Sequence, residues 1–234
     1  MMKSIDVCLS PDLMHLYDVR ESTVVVVDVL RATSCMVTAF AHGTQSITPY
    51  SDLEECKAAR SKGFITSGER DGKKADGFDK GNSPFEYMGE DIRDKKIAFT
   101  TTNGTEAIHR ARAAKKLVVG SFLNLSAVVG ELQSGESGVL VVCAGWKGRF
   151  NLEDTLFAGA VVERLKDHFE PECDAPLAAQ RLYNLARHDM LQFLSNSAHV
   201  RRLARLNIHK DIAFCLTEDR YSVVPSLASG VLTA

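Results

Sequence analysis

The sequence of 234 residues lacks the features that mark membrane, secreted and nucleic-acid-binding proteins. It has no apolar run long enough to span a bilayer, and no basic segment followed by an apolar one near Met1. Its formal net charge of -2 gives no field that would attract the whole chain to nucleic acid or to an anionic membrane. We therefore expect a cytoplasmic protein without nucleic-acid or membrane partners, in which a local site holds any anion. Assembly into a homo-oligomer stays open.

The cysteine spacings that hold zinc are also missing. The six cysteines form no Cys-x-x-Cys pair, and no paired histidines accompany them. Aromatic residues make up 7% of the chain, apolar residues 45% and charged residues 25%, which is the composition of an ordinary globular protein. We interpret most of the cysteines as small buried residues, and we expect a single main domain over residues 1–234.

What the sequence does contain is a repeated pattern of short apolar runs, each followed by polar residues and then, in most cases, by a helix-like segment. The runs are Val24–Val27, Ile97–Phe99, Leu117–Val119 and Val139–Val142. Continuous apolar runs are typical of parallel strands buried on both faces. The pattern predicts an α/β fold with a largely parallel or mixed sheet, helices on both faces and a helical C-terminal appendage.

This segment covers about residues 171–210 and is either a lid or an appendage, a choice that the sequence leaves open. A short apolar run, Ile212–Leu216, follows it and is interpreted as a late strand.

Ligands of open α/β sheets bind beyond the carboxyl ends of the strands, so the polar residues after each run are candidates for a site. Asp28 directly follows the most apolar strand, and its carboxylate can hold Mg²⁺ or position a nucleophile. Arg31 offers a planar fork for a phosphate, sulfonate or carboxylate. Thr33 and Ser34 can cap the following helix, whose amino end favours an anion. The alternative is that Asp28 and Ser34 are only a structural carboxylate and a helix cap.

A second candidate lies between the next apolar run and its helix, where the sequence reads Thr-Thr-Thr-Asn-Gly-Thr over residues 100–105. Successive backbone N–H groups, hydroxyls and a flexible Asn-Gly pair can form an anion-binding nest. We predict that Thr101, Thr102, Asn103, Gly104 and Thr105 bind substrate oxygens, although a capped turn would use similar residues.

The third candidate is the charged, glycine-rich segment from Gly68 to Pro84, which leaves little room for a strand or helix. Structureless stretches longer than about 12–15 residues in a compact domain are usually functional or disordered. Glu69 or Asp79 could ligate a metal ion here. The residues that could reach a phosphate or a carboxylate are Arg70, Asn82 and Ser83. A solvated surface loop is the alternative.

In a fourth segment, Cys143 and Arg149 have the Cys-x5-Arg spacing of cysteine-dependent phosphatases, in which a thiolate attacks phosphorus. The usual His before the cysteine and Ser or Thr after the arginine are missing, and Trp146 stands where a glycine often allows the tight turn. Because a strand-end cysteine is usually buried, the thiolate role is the less favoured interpretation. Glu153, in the first turn of the next predicted helix, is a candidate metal ligand, although the helix dipole alone can explain an acid there.

The histidines and the basic residues of the tail give weaker signals. His199 lies in the helical appendage, and Arg201–Arg205 contains three arginines. We interpret His199 as a surface or packing residue, because the histidines form no ligand pair. The arginines could touch nucleic acid, but a solvated helix face is the favoured interpretation because no wider basic patch surrounds them.

These motifs occur in the order found in 2-phosphosulfolactate phosphatases, and the chain resembles that family over nearly its whole length. The resemblance is carried by Asp28–Ser34, Gly68–Arg70, Gly77–Pro84, Thr101–Thr105, Cys143–Gly145, Leu152–Asp154, Asp211 and Val224–Pro225. It implies an α/β fold peculiar to the family. It also implies Mg²⁺-dependent hydrolysis of 2-phospho-3-sulfolactate, or a related 2-hydroxy acid phosphate, to 3-sulfolactate and phosphate in coenzyme M biosynthesis.

The chemistry of the residues then gives a hypothesis for their roles. Asp28 and Asp79, with Glu153, would hold Mg²⁺, and Glu69 would orient or deprotonate a water molecule. Asp28, Glu69 and Asp79 are thus the predicted catalytic residues.

Arg31 and Arg70 would neutralise the other anionic groups of a small anionic phosphate ester. Direct attack by Asp28 on phosphorus is equally compatible with the sequence. The rival interpretations are a Cys143 thiolate phosphatase and a non-catalytic binding module or sensor for a phosphorylated or sulfonated metabolite.

Overall fold

The structure, a computed structural model, describes residues 2–234, and its strands form one eleven-stranded sheet. Buried β-branched runs form the central strands, as expected of residues that fit a pleated surface. The strands are β1 (Lys3–Cys8), β2 (Ser22–Val27), β3 (Ser46–Pro49), β4 (Ile65–Arg70), β5 (Lys73–Lys74), β6 (Lys96–Thr100), β7 (Lys116–Gly120), β8 (Gly138–Cys143), β9 (Phe169–Pro171), β10 (Ser226–Ala228) and β11 (Val231–Thr233).

Helices follow most of the strands, and several more lie near the C-terminus. They are α1 (Ala32–Ala41), α2 (Leu53–Ala58), α3 (Gly104–Ala111), α4 (Leu125–Ser134), α5 (Leu152–Leu165), α6 (Asp174–Ala186), α7 (Met190–Leu194), α8 (Ala198–Ala204) and α9 (His209–Cys215). Within residues 2–234, none of the helices has the length and apolar character needed to cross a membrane.

Two groups of parallel strands make up the sheet, whose order is β5-β4-β6-β3-β11-β10-β7-β2-β8-β1-β9. The first half-sheet is β7-β2-β8-β1-β9, and the second half-sheet is β4-β6-β3 with the antiparallel β5 at its edge. The antiparallel hairpin β10–β11 joins them. Ser226 of β10 pairs with Val118 of β7, and Leu232 of β11 pairs with Ile47 of β3.

The side chains of the first half-sheet alternate between two cores, because successive residues of a strand point to opposite faces. Val25 and Val27 pack with the apolar residues of α4, α5 and α6. Val24 and Val26 belong to a second core, which contains residues of α1 and α3 and also of β3 and β6. Helices α1 and α3 are therefore packed with both half-sheets, and α2 covers the other face of the second one. The predicted α/β fold with helices on both faces and C-terminal helices is confirmed.

Two features near the C-terminus differ from the prediction. The run interpreted as a late strand is part of α9, and its residues Ile212, Cys215 and Leu216 are buried on one side, at helical spacing. A short apolar run cannot be assigned to a strand or a helix by periodicity alone. The segment after Gly68, expected to lack regular structure, completes β4 and forms the short hairpin with β5 before continuing as coil.

Candidate functional site

Loops from both half-sheets meet at a buried cavity, which α8 covers. The side chains that line it include Asp28, Arg31, Glu69, Asn82, Asn103, Trp146, His199 and Arg202. The enclosed space is about 20 Å³, which is room for about one water molecule. Five of the eight are residues that the sequence predicted for the site.

Two helices begin beside Asp28. Helix α1 starts at Ala32, whose N–H donates to Asp28 Oδ1 over 3.4 Å. Helix α3 starts at Gly104, where a Cβ atom would lie 2.9 Å from Asp28 Oδ2 and 2.6 Å from Ala32 Cβ. The missing side chain of Gly104 thus lets the two helix ends approach each other. Since helix amino ends present free N–H groups and a positive dipole end, two of them at one cavity favour an anionic ligand.

Asp28 itself belongs to a group of buried acids. Only 7% of Asp28 is exposed, and burial raises the pKa of its carboxyl group to about 6. The charge of His199 opposes this rise, whereas the charges of Glu69 and Glu153 add to it. A cation bound among these carboxylates would relieve their mutual repulsion.

Thr33 and Ser34, predicted to bind an anion, hold the loop around Asp28 instead. Both are fully buried. Thr33 Oγ1 donates to the Asp28 carbonyl oxygen over 2.9 Å and accepts from Asp28 N over 3.0 Å. Ser34 Oγ donates to the carbonyl oxygen of Val29 over 2.8 Å. Their hydroxyls are occupied by the backbone, so they position Asp28 and do not reach into the cavity.

Asp154 joins the loops that follow β2 and β8. Its Oδ1 accepts from Val29 N over 2.9 Å and its Oδ2 accepts from Gly145 N over 3.0 Å. Burial raises the pKa of Asp154 well above its usual value, and the neighbouring charge of Glu153 adds to the shift. This carboxylate fixes the loop that carries Asp28 relative to the loop that carries Trp146.

Glu153 is hydrogen-bonded to His199, which lies 46 residues further along the chain. No sequence pattern linked the two residues. Glu153 is fully buried and His199 is 8% exposed. Glu153 Oε1 is bonded to His199 Nδ1, which also lies 3.1 Å from Asn151 Nδ2. Glu153 Oε2 is buried without a hydrogen-bond partner among residues 2–234, so it is free to bind a cation or a ligand proton.

The threonine loop before α3 is held by its own hydroxyls. Thr101 N donates to Thr105 Oγ1 over 3.2 Å, and Thr105 N donates to Thr101 Oγ1 over 3.3 Å. Asn103 Oδ1 accepts from Lys147 N over 2.9 Å. Thr102 N lies 3.5 Å from Glu69 Oε2, and Thr102 Oγ1 is buried without a partner in the part of the chain described. Thr101 and Thr105 therefore shape the loop, while Thr102 keeps a hydroxyl available for a ligand.

Glu69 and Asn82 both line the cavity, but they differ in their hydrogen bonds. One carboxylate oxygen of Glu69 accepts from Gly72 N, which ties it to the β4–β5 hairpin. Asn82 is 7% exposed, and its Oδ1 has no partner among residues 2–234. Ser83 stands before a short 3₁₀ turn, Pro84–Tyr87, and makes no capping hydrogen bond. Ser83 is not among the residues that line the cavity.

The two arginines predicted to bind substrate are engaged with the protein. Arg31 Nη1 donates to Asp211 Oδ2 over 2.5 Å in a buried ion pair, and its Nη2 donates to the Gly72 carbonyl oxygen over 3.0 Å. Arg70 donates to the Glu69 carbonyl oxygen over 2.6 Å and to Thr100 Oγ1 over 3.2 Å. Arg31 lines the cavity and Arg70 does not.

Asp79 is not brought to the cavity, in contrast to the expectation that it acts in catalysis or holds a metal ion. Its carboxylate accepts from Thr66 N over 2.9 Å, from Thr66 Oγ1 over 2.7 Å and from Arg60 Nη2 over 2.6 Å. Thr66 stands three residues before Glu69 in β4, about 10 Å back along the strand. These bonds explain why the pKa of Asp79 is lowered although its partial burial alone would raise it.

Cys143 lies in the core and not in the cavity. Its side chain is fully buried among apolar residues. Burial, with the charge of Asp154, raises the pKa of the Cys143 thiol well above its usual value. Arg149 is exposed, and its backbone pairs with Trp146. A protonated, buried thiol without a nearby phosphate cradle does not fit a nucleophile.

The oxygen ligands near Asp28 are compatible with Mg²⁺, but they are too few to hold a metal ion without water or substrate. Among residues 2–234, no group of three or more His, Cys, Asp or Glu side chains is arranged to hold a metal ion. Mg²⁺ is commonly bound through one or two carboxylates together with water and substrate phosphate. Asp28 and the unpartnered Oε2 of Glu153 offer such a pair of oxygen ligands, so the residues present fit this ion.

Three cavity residues were not predicted for the site, namely Trp146, His199 and Arg202. His199 was interpreted as a surface or packing residue, and Arg202 as part of a solvated helix face. They stand three residues apart in α8, a spacing that places two side chains on the same side of a helix. That spacing is the only sequence signal that could have linked them to one site.

A profile of the family described as 2-phosphosulpholactate phosphatase matches residues 8–230. A relative from Thermotoga petrophila, named "Probable 2-phosphosulfolactate phosphatase", is 47% identical over 209 residues, which are 89% of this chain and 90% of the relative. Proteins of the same name from Caldanaerobacter subterraneus and Clostridium tetani are 39% and 32% identical, over 92% and 98% of this chain and 91% and 99% of their own lengths.

Proposed function

Because the chain belongs to the 2-phosphosulfolactate phosphatase family, a family of phosphoric monoester hydrolases, we propose that it hydrolyses 2-phospho-3-sulfolactate or a related 2-hydroxy acid phosphate. The proposal includes Mg²⁺ as the cofactor and a role in coenzyme M biosynthesis. The observation that carries it is the meeting of two helix amino ends with the buried carboxylate of Asp28. An anion is favoured there by the helix ends, and a cation by the acids.

The phosphate group would bind at the amino end of α3. Gly104 opens this helix without a side chain, and the N-cap residue Asn103 makes no capping hydrogen bond. The buried Thr102 hydroxyl lacks a partner among residues 2–234. A hydroxyl that donates to a phosphate oxygen would be satisfied by the ligand, which supports assigning this loop to the phosphate.

Asp28 and Glu153 would hold Mg²⁺ next to the phosphate. Both are buried acids whose charges act on each other. When bound, the ion would neutralise charge on the phosphate oxygens and orient the ester for attack. His199 keeps Glu153 in place through its bond to Oε1, so Oε2 can face a ligand. Asp79 has no part in this proposal.

Glu69 would orient or deprotonate the attacking water. One of its oxygens is tied to Gly72 and the other lies 3.5 Å from Thr102 N, beside the loop assigned to the phosphate. Direct attack by Asp28 is the alternative route. A chiral phosphate ester distinguishes them, because one displacement by water inverts the configuration at phosphorus and two successive displacements retain it.

A phosphate-release assay tests the function. The full chain is incubated with 2-phospho-3-sulfolactate, with 2-phospholactate and with a simple aryl phosphate, with Mg²⁺ or with a chelator. We expect release from the 2-hydroxy acid phosphates that depends on Mg²⁺. Tight binding of one of these esters without release would favour the second candidate, a binding module, to which the same anion site would also be suited.

The small enclosed space bears on how substrate enters. A volume of about 20 Å³ is far below that of a phosphorylated hydroxy acid. We therefore propose that α8 moves away to admit substrate and returns to exclude water, as a lid.

A further inference from the structure

Arg202 lies on α8, the helix that covers the cavity, and lines the cavity without an ion pair or side-chain hydrogen bond among residues 2–234. We propose that Arg202 determines substrate specificity by binding the anionic group of the ester that is not the phosphate, namely a carboxylate or a sulfonate. This inference rests on the proposed function, since its ligand is the substrate of that reaction.

Three arginines of this region, Arg31, Arg70 and Arg202, differ in what their side chains bind. Arg31 uses both terminal nitrogens on Asp211 and the Gly72 carbonyl oxygen. Arg70 is bonded to Glu69 and Thr100 and does not line the cavity. Both arginines are thus engaged with acceptors of the protein. Arg202 lines the cavity without such an acceptor, which leaves its guanidinium group available to a second anion.

Arg202 is held by the ring of Trp146. Its guanidinium carbon lies 3.9 Å from the centroid of the Trp146 ring. Stacking engages the flat face of a guanidinium and leaves its N–H edge free to donate. The ring thus fixes the orientation of the group before a ligand arrives. Trp146 also lines the cavity, and Asp154 fixes the loop that carries it through Gly145.

The electrostatic surroundings of Arg202 also favour an anionic ligand. Arg202 is partly withdrawn from water, which lowers its pKa, while the charges of Glu153 and Glu69 raise it. No carboxylate is within ion-pair distance of it in the described residues. A partly dehydrated cation without a contact partner is stabilised by an incoming anion, and carboxylate and sulfonate oxygens match the guanidinium fork.

The chain provides a matched control on the same helix. Arg201 is adjacent, carries the same charge and is exposed, and it does not line the cavity. Replacing Arg201 by alanine changes the net charge as much as replacing Arg202. A difference between the two variants therefore reports on position and not on charge.

The test measures kcat and KM of the full chain and of Arg202→Ala, Arg202→Lys and Arg201→Ala. The substrates are 2-phospho-3-sulfolactate, 2-phospholactate and p-nitrophenyl phosphate, which has no second acidic group. We expect Arg202→Ala to lose about 100-fold in kcat/KM on the first substrate, mainly through KM. We expect little change on p-nitrophenyl phosphate, a partial loss in Arg202→Lys, and no loss in Arg201→Ala.

The comparison of substrates identifies the group that is bound. An equal loss on 2-phospholactate and 2-phospho-3-sulfolactate assigns Arg202 to the carboxylate, and a loss confined to the sulfonated ester assigns it to the sulfonate. Equal losses on all three esters, or no loss on any, would overturn the inference. Thermal unfolding of each variant shows whether a loss of kcat/KM comes from misfolding. If Arg202→Ala is misfolded, the kcat/KM values of Arg202→Lys decide whether the inference holds.

Failure of the proposed function is distinguishable from failure of this inference. Binding of 2-phospho-3-sulfolactate is measured by calorimetry alongside turnover. Binding that depends on Arg202 without phosphate release would reject the phosphatase and keep the anion site. Phosphate release that is unchanged in Arg202→Ala would keep the phosphatase and reject the role of Arg202. Neither binding nor release by the unchanged chain would reject both.

Discussion

At the scale of single residues, Asp28 and Asp79 have different surroundings, although both were predicted to hold a metal ion. Asp28 is buried between two helix ends. Asp79 is hydrogen-bonded to Thr66 and Arg60, and its own side chain is 41% exposed. Replacing Asp28 by asparagine keeps its shape and removes its charge. We expect kcat to fall by roughly 100-fold or more, since a preorganised charged group at a reacting phosphate is lost.

Asp79→Asn is the matched control for Asp28→Asn. We expect it to keep kcat and to lose about 1 kcal/mol of unfolding free energy, because an exposed ion pair and its hydrogen bonds contribute little. Steady-state phosphate release and urea unfolding measure the two quantities. A collapse of kcat in Asp79→Asn with the fold intact would return Asp79 to the active site.

Cys143 gives a second prediction at this scale. Cys143→Ala should retain phosphatase activity, because the thiol is buried and its pKa is raised. A thiol-alkylating reagent should react first with Cys173, which is exposed, and should leave activity intact. Phosphate release before and after alkylation checks both statements. Inactivation of Cys143→Ala that persists in a folded protein would instead support the thiolate route.

At the scale of elements, the close crossing of α5 and α6 depends on one glycine. A Cβ atom at Gly159 would overlap the carbonyl oxygen of Ala179 and lie 2.9 Å from Tyr183 Cβ. We expect Gly159→Ala to destabilise the protein by about 1–3 kcal/mol through overpacking. Urea unfolding followed by circular dichroism measures the change.

Gly130 in α4 is the control for this crossing, because a Cβ atom there would meet no atom within 4 Å. Gly130→Ala should be neutral or stabilise by up to about 1 kcal/mol, since alanine reduces the entropy of the unfolded chain. If both glycine variants behaved alike, helix propensity and not close packing would govern Gly159.

How far the sequence predicts these elements depends on their length and burial. The run Val24–Val27 is apolar on both faces because both faces are buried, so its strand could be predicted. Strands β10 and β11 have three residues each and are set by their partners in space, so no local pattern marks them. Helix α9 was missed because its apolar run has five residues, which are too few to show helical spacing.

The candidate site could also be predicted only in part from the sequence. Asp28, Glu69 and Asn103 lie at or after strand ends, and their convergence on one cavity could be predicted from the sheet. Asp79 could not be placed, because the return of its loop to Thr66 depends on hydrogen bonds that have no sequence pattern. Arg202 was missed because the side of α8 that faces the cavity is decided by tertiary packing.

At the scale of the whole molecule, the site needs both half-sheets in place. Asp28 comes from the first half-sheet, and Glu69 and Thr102 come from the second. The hairpin β10–β11 is the hydrogen-bonded link between them, and Leu232 of β11 is fully buried in the core that both half-sheets share. Stability of this core and assembly of the site are therefore coupled.

Leu232→Ala tests that coupling. Loss of a buried leucine side chain should lower the unfolding free energy by about 2–5 kcal/mol. Because Leu232 packs in a core common to both half-sheets, we expect one cooperative transition, in which activity and circular dichroism are lost at the same urea concentration. Val231→Ala, at the neighbouring, half-buried position, should shift the midpoint less. Loss of activity at a lower urea concentration than loss of secondary structure would show instead that the half-sheets separate before they unfold.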